Sequence, residues 1–128
     1  MNLQSFVIYF AAAFFFLYGL AFTVFPEGMA YLVTESEPRG ISALVDFRAT
    51  YGGMTAAVGA TLFYLHSINQ IRPSLVIIIF VLIGMAIART FGLLVEGEGN
   101  FMMYLYLLLE VAGSALAWFA LQRIPEDT

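Results

Sequence analysis

Four long apolar stretches dominate the sequence, and each is long enough to cross the hydrocarbon core of a bilayer. They cover residues 3–25, 42–66, 73–94 and 101–124. A transmembrane helix needs about 20 mostly apolar residues, and inside a bilayer a helix satisfies its own backbone hydrogen bonds. The prolines all fall at or between the limits of these stretches, where a missing N–H costs least: Pro26, Pro38, Pro73 and Pro125. The pattern predicts an all-α integral membrane protein.

The connections between the stretches predict how the helices are arranged. The second and third connections are short, so the helices that they join are antiparallel neighbours. The first connection, residues 26–41, has room for a short interfacial helix at 29–33. In the second stretch, Gly52, Ala56 and Ala60 are spaced four residues apart, which lets helices approach closely. We expect one transmembrane domain over residues 1–128, an antiparallel up-and-down four-helix bundle.

The composition excludes several classes of protein. The chain is 62% hydrophobic and 11% charged, whereas soluble domains have about 45–50% apolar and about 25% charged residues. There is no cysteine, so disulfides, thiolate metal sites and cysteine nucleophiles are excluded. The net charge of −4 argues against nucleic acid as a partner. The first stretch lacks a basic start and is too long for a signal peptide, so we expect a retained helix.

The positions of the arginines outside the spans predict the orientation. Arg72 lies in the second connection and Arg123 near the end of the last stretch, while the first connection contains Arg39 among several glutamates. Because basic residues are enriched on the cytoplasmic side, both termini are expected in the cytoplasm.

Four ionisable side chains remain inside the predicted spans: Asp46, Arg48, Arg89 and Glu110. At the α-helical rise, all four fall roughly 6 to 13 Å below the outer helix ends, and their charges sum to zero. A charge at the centre of a span costs about 2.5–3.5 kcal/mol even on the insertion scale, so such groups usually turn inward and pair. We expect Arg89 to pair with Glu110, which is too deep to reach water and would otherwise be protonated.

Two tyrosines complete a predicted polar cluster with these four residues. Tyr106 shares a helix face with Glu110, and Tyr51 shares one with Arg48. Asp46 is roughly 200° round the helix from Arg48 and needs another partner, which Arg89, the backbone or water could provide. The candidate site is therefore Asp46, Arg48, Tyr51, Arg89, Tyr106 and Glu110. It is open whether these residues bind a lipid-like ligand, serve transport or form a purely structural polar knot, and both arginines could also snorkel to the interface.

The sequence contains no recognised nucleophile motif, metal-ligand cluster or phosphate loop, so we expect no catalytic residue, no metal and no cofactor. The favoured interpretation is a non-catalytic accessory subunit or stabiliser of a larger membrane complex, or a binder of a lipid-like ligand. The alternative is a small proton-coupled transporter that works as a dimer through Glu110. Two arginines near the level of Glu110 argue against a cation site there.

The segments DFRATYGGM (46–54) and ARTFGLLVEG (88–97) resemble a family of small four-helix bacterial membrane proteins classed as a domain of unknown function. The resemblance spans nearly the whole chain and is sharpest at Asp46, Arg48, Tyr51, Gly52, Gly53, Arg89 and Gly92. It implies a multi-pass protein of the bacterial inner membrane with no assigned reaction. With mostly short loops, any partner beyond the lipid bilayer is expected to bind through the helices, either as another membrane protein or by self-association.

Overall fold

We describe residues 1–124 of the chain in a computed structural model, and within this range every regular element is helical. The elements are α1 (Leu3–Val24), α2 (Pro26–Thr34), α3 (Ile41–Phe47), α4 (Thr55–Ser67), α5 (Ile71–Glu96) and α6 (Phe101–Gln122), with a π-helical segment at Arg48–Met54 between α3 and α4. The all-α prediction is confirmed for the described residues.

Three of the helices, α1, α5 and α6, are long and apolar enough to cross a membrane. They correspond to the stretches predicted at 3–25, 73–94 and 101–124, and their ends differ from the prediction by at most two residues within the described range. This agreement is expected, because the length and hydropathy of each apolar stretch can be read directly from its residues.

The stretch predicted as one helix at 42–66 is instead divided into α3, the π segment and α4. The chain stays helical across both junctions, since Arg48 and Thr55 have right-handed helical backbone angles. A π-helix differs from an α-helix in that its N–H groups bond five residues back rather than four. Hydrophobic periodicity did not reveal that change.

The first connection forms the predicted short helix, but α2 is longer than the 29–33 expected. Pro26 occupies its first position, where the absent N–H costs nothing and the ring fixes a helical φ. The same absent N–H interrupts the hydrogen bonding of α1, which ends at Val24. At the other end of α2, Glu35 adopts a left-handed conformation with φ 57° and closes the helix by donating its N–H to the Tyr31 carbonyl.

The chain divides into two compact units, which we describe separately. The first-helix unit is Tyr9–Tyr64, and it contains most of α1, all of α2 and α3, the π segment and most of α4. The hairpin unit comprises Met1–Ile8 and the described residues from Leu65 on, including α5 and α6.

In the first-helix unit, α1 touches the π segment and α4 backbone to backbone at glycines. A Cβ added to Gly19 would lie 2.6 Å from the Gly52 carbonyl oxygen and 2.8 Å from the Ala56 Cα, and one added to Gly59 would lie 2.6 Å from the Ala12 carbonyl oxygen. The residue numbers run in opposite senses along the contact, so the helices are antiparallel. Close approach through small residues is the usual way in which membrane helices pack. We call this contact the glycine seam.

The glycine seam confirms part of the predicted spacing and corrects one member. Gly52 and Ala56 lie in the contact as expected, but Ala60 is exposed and Gly59 takes its place. Gly59 follows Ala56 by three residues rather than four, which keeps it on the same helix face.

In the hairpin unit, α5 and α6 are antiparallel neighbours joined by residues 97–100, as predicted. Gly97 has a φ of 101°, a conformation that favours glycine. Asn100 caps α6, because its side chain accepts a hydrogen bond from the Met103 N–H at 3.2 Å. At the opposite end of this hairpin, the Gln4 side chain donates to the Ala120 carbonyl at 3.4 Å, which ties the start of α1 to α6.

Candidate functional site

The predicted pair of Arg89 on α5 and Glu110 on α6 is present. The guanidinium donates from Nε to both carboxylate oxygens at 3.1 Å and from Nη2 to Oε1 at 2.6 Å. Only 5% of the Glu110 side chain and 18% of the Arg89 side chain are exposed. Hydrogen bonds from two nitrogens of one arginine to a buried carboxylate form a strong, directional contact, and the two charges neutralise each other.

The hairpin geometry explains why these two side chains meet. Arg89 lies seven residues before the end of α5 and Glu110 nine residues after the start of α6. At the α-helical rise these spacings correspond to about 11 and about 14 Å from the hairpin turn, so the two residues are at similar levels. An antiparallel pair of helices with a short connection therefore brings them side by side.

Two further side chains of α6 surround the Arg89 guanidinium. Nη1 donates to the Met103 sulfur at 3.3 Å, and the Cζ atom lies 5.3 Å from the centre of the Tyr106 ring. A guanidinium within about 6 Å of an aromatic ring face gains a cation–π attraction. Tyr106 is therefore at the pair, as predicted, while Met103 was not among the predicted cluster residues because a thioether carries no charge.

Arg48 has a different role from the one that its charge suggested. Its Nη1 donates to the Thr23 carbonyl and, at 3.5 Å, to the Val24 carbonyl. These are the last carbonyls of α1, which have no partner within that helix because α1 stops before Pro26. A cation at this position also opposes the negative end of the helix dipole. Arg48 thus caps α1 from a neighbouring helix.

Asp46 makes a single, weak side-chain hydrogen bond within residues 1–124. The Thr50 hydroxyl, one turn further on, donates to its Oδ1 at 3.4 Å. Within the first-helix unit, Asp46 forms an ion pair with neither Arg39 nor Arg48, and its side chain is exposed. The sequence left Arg89, the backbone or water open as partners of Asp46, and the Thr50 hydroxyl was not among them.

Tyr51 belongs to an aromatic group rather than to a hydrogen-bonded network. Its ring stacks on Phe47 at a centroid distance of 4.9 Å and on Phe22 at 5.3 Å. Phe22 is almost fully buried, whereas 49% of Tyr51 is exposed. In the described part of the chain, its hydroxyl makes no hydrogen bond, so the polar end of the residue is available at the surface of the unit.

The six predicted residues therefore fall into two groups, one in each unit. Arg89, Tyr106 and Glu110 are brought together in the hairpin unit. Asp46, Arg48 and Tyr51 lie in the first-helix unit, at and just before the π segment. Single π turns inside α-helices are rare, and those that exist are often found at functional sites. We consider the two groups as separate candidate sites.

A polar contact that the sequence did not suggest lies in the hairpin unit. The Ser5 hydroxyl and the His66 Nε2 are 3.0 Å apart, and they connect the start of α1 with the end of α4. The two residues are separated by 61 positions, so their proximity depends on the fold. Among residues 1–124, no three His, Asp or Glu side chains come together as a metal site requires.

The chain belongs to a family whose description is "Domain of unknown function (DUF4345)", and the family model matches residues 3–121. The resemblance to a domain of unknown function is thereby confirmed over nearly the whole chain. No curated protein and no solved structure matches the chain.

Proposed function

We propose that the protein is a non-catalytic membrane protein that serves as an accessory subunit or stabiliser of a larger membrane complex. The observation that carries this proposal is an unoccupied face of α5, formed by Gly84, Ala88 and Gly92 at intervals of four residues. A Cβ added to either glycine would meet no described atom within 4 Å. We call this surface the α5 small-residue face.

The glycine seam supports this assignment by contrast. There, small residues at similar intervals are covered by a neighbouring helix so closely that no side chain could be added. On α5 no described atom lies within 4 Å of a Cβ added to Gly84 or Gly92, and in the most apolar part of the helix only 22% of the residues are buried. Since small residues in membrane helices allow backbones to approach, a helix of another protein or of a second copy can pack here.

The proposal includes a topology of four spans in the inner membrane of a bacterium. Three spans are α1, α5 and α6, and residues 48–67 form the fourth, about 30 Å long at the α-helical rise. The connection that contains Arg72 then faces the cytoplasm and the first connection the opposite side. The chain has no cysteine, so single cysteines replacing Glu37 and Arg72 can be labelled cleanly. We expect an impermeant maleimide to reach only the first from outside.

Proton-coupled transport is the competing function, and the Arg89–Glu110 pair argues against it. Every hydrogen bond that Glu110 accepts in the described residues comes from Arg89. A carboxylate held in this way is neutralised by a fixed cation and is a poor carrier of protons. Proton uptake into proteoliposomes that disappears in Glu110→Gln would favour the transporter and refute our proposal.

The partner is to be tested at the α5 small-residue face itself. Gly84→Leu and Gly92→Leu should abolish co-purification of the partner in mild detergent, since a leucine separates the backbones. Ala112→Leu, at an exposed alanine of α6, serves as the matched control and should retain the partner. All three variants should melt within a few degrees of the wild type, because each side chain enters open space. If Ala112→Leu loses the partner to the same extent, the α5 small-residue face is not the binding surface.

A further inference from the structure

The unused hydrogen-bond donors of Arg48 suggest a binding site in the first-helix unit. The guanidinium is held by the last carbonyls of α1 through Nη1 alone. Its Nε and Nη2 donate to no acceptor in the described part of the chain, and the side chain is exposed. Arg48 is therefore a fixed cation with three N–H donors to offer, because a guanidinium has five and Nη1 carries two of them.

The level of Arg48 follows from the helix that it caps. α1 has 22 residues and spans about 33 Å, close to the roughly 30 Å thickness of the hydrocarbon core. Thr23 and Val24 are its last residues, so a guanidinium bonded to them lies at the boundary between hydrocarbon and headgroups. Phosphate groups of lipids lie at this boundary, and arginine matches a phosphate with two parallel N–H donors.

The surroundings of Arg48 suit a lipid rather than a free anion. Tyr51 stands three residues away, with its ring stacked on Phe47 and Phe22 and its hydroxyl unbonded in the described structure. Val24 and Phe25, at the end of α1, are 57% and 69% exposed and form an apolar surface next to the guanidinium. A ligand with a phosphate and an acyl chain would meet the donors and the apolar surface together.

The charges at the site favour an anionic headgroup over a zwitterionic one. Asp46 could bind the ammonium of an ethanolamine headgroup, but it precedes Arg48 by two residues and so points to another side of the helix. Among the described residues no carboxylate forms an ion pair with Arg48, so the charge that a headgroup meets at the guanidinium is a positive one.

We propose that Arg48 and the Tyr51 hydroxyl bind the phosphate of an anionic phospholipid in the leaflet on the side of the first connection. This inference rests on the membrane placement proposed above. It is independent of the α5 small-residue face, because neither residue belongs to that face.

The test is native mass spectrometry of the protein in mild detergent with equal amounts of phosphatidylglycerol and phosphatidylethanolamine. We expect the wild type to retain phosphatidylglycerol preferentially. Arg48→Gln should lower this retention about tenfold, as expected for one lost charge-assisted contact. Tyr51→Phe removes only a hydroxyl that bonds to none of the described residues, so it should lower retention about threefold and leave the melting temperature unchanged.

The control is Arg39→Gln, which removes the same charge from an exposed arginine of the first connection and should retain lipid like the wild type. Three results would overturn the inference: no preference in the wild type, an equal loss in the control, or unchanged retention in Tyr51→Phe. Displacement of the lipid by millimolar inorganic phosphate would also overturn it, since the site would then bind a free anion. Unchanged capture of the partner by Arg48→Gln separates failure of this site from failure of the proposed function.

Discussion

Replacing Arg89 with leucine should destabilise the protein more than replacing Glu110 with leucine, although each change breaks the same ion pair. The difference arises from what each change leaves behind. Glu110 is 5% exposed and accepts hydrogen bonds only from Arg89 among the described residues, so Arg89→Leu leaves a buried carboxyl without a donor. In Glu110→Leu, the guanidinium keeps the Met103 sulfur and the Tyr106 ring and is more exposed.

The magnitudes follow from the contacts that are lost. Stranding one member of a buried ion pair costs about 3–5 kcal/mol, and Arg89→Leu should fall in this range. Glu110→Leu should cost about 1–3 kcal/mol, the penalty for a partly satisfied polar group. The double change removes both charges and replaces them with apolar groups, which is often close to neutral. It should therefore be milder than Arg89→Leu alone.

The assay is unfolding in mixed micelles with increasing sodium dodecyl sulfate, followed by the fluorescence of Trp118, the single tryptophan of the chain. The two single variants and the double variant form a double-mutant cycle, which measures the coupling free energy of the pair. If the destabilisation of the double variant equals the sum of the two single effects within about 0.5 kcal/mol, the residues do not interact and the reasoning is refuted. If Glu110→Leu is the more severe single change, the asymmetry is wrong even though the pair exists.

Five further variants test the packing and capping of the helices in the same unfolding assay. Gly19→Ala should destabilise the protein by about 1–3 kcal/mol, because its Cβ would lie 2.6 Å from a carbonyl oxygen of the π segment. Gly84→Ala should be neutral or stabilising by up to about 1 kcal/mol. Equal effects of the two changes would contradict the glycine seam. Ser5→Ala should cost about 0.5–1.5 kcal/mol by removing the hydrogen bond to His66, and an unchanged unfolding midpoint would show that this bond contributes nothing. Asn100→Ala should cost about 0.5–2 kcal/mol through loss of the α6 cap, and Asn100→Ser should recover most of it.

The features that the sequence predicted are those that depend on local patterns. The limits of α1, α5 and α6 follow from runs of apolar residues bounded by proline and glycine, which can be counted along the chain. The pairing of Arg89 with Glu110 also required only a hairpin with a short connection and two residue positions. In both cases the information lies within one or two neighbouring elements.

The features that the sequence did not predict depend on backbone groups and on distant residues. The π segment at Arg48–Met54 changes hydrogen-bond partners without changing the apolar pattern. The Ser5–His66 contact joins residues at opposite ends of a long stretch of chain. Gly59 rather than the predicted Ala60 lies in the glycine seam. Which of the two makes the contact depends on how the two helices cross, and a four-residue repeat within one helix does not specify that crossing.

Arg48 illustrates why the depth of a charge cannot be read from its own helix alone. Counted from the start of the predicted span at residue 42, it lies roughly 9 Å below the outer surface and should need a carboxylate partner. It bonds instead to the last carbonyls of α1, so its guanidinium lies level with the end of α1. The residues of α3, which precede Arg48 in the chain, therefore extend past that end. In the membrane placement that we propose, Arg48 and Asp46 would then lie at the membrane boundary, where an unpaired charge is inexpensive. Among the described residues, Glu110 is the one charged residue that is fully buried, and its salt bridge to the partly buried Arg89 is the only one.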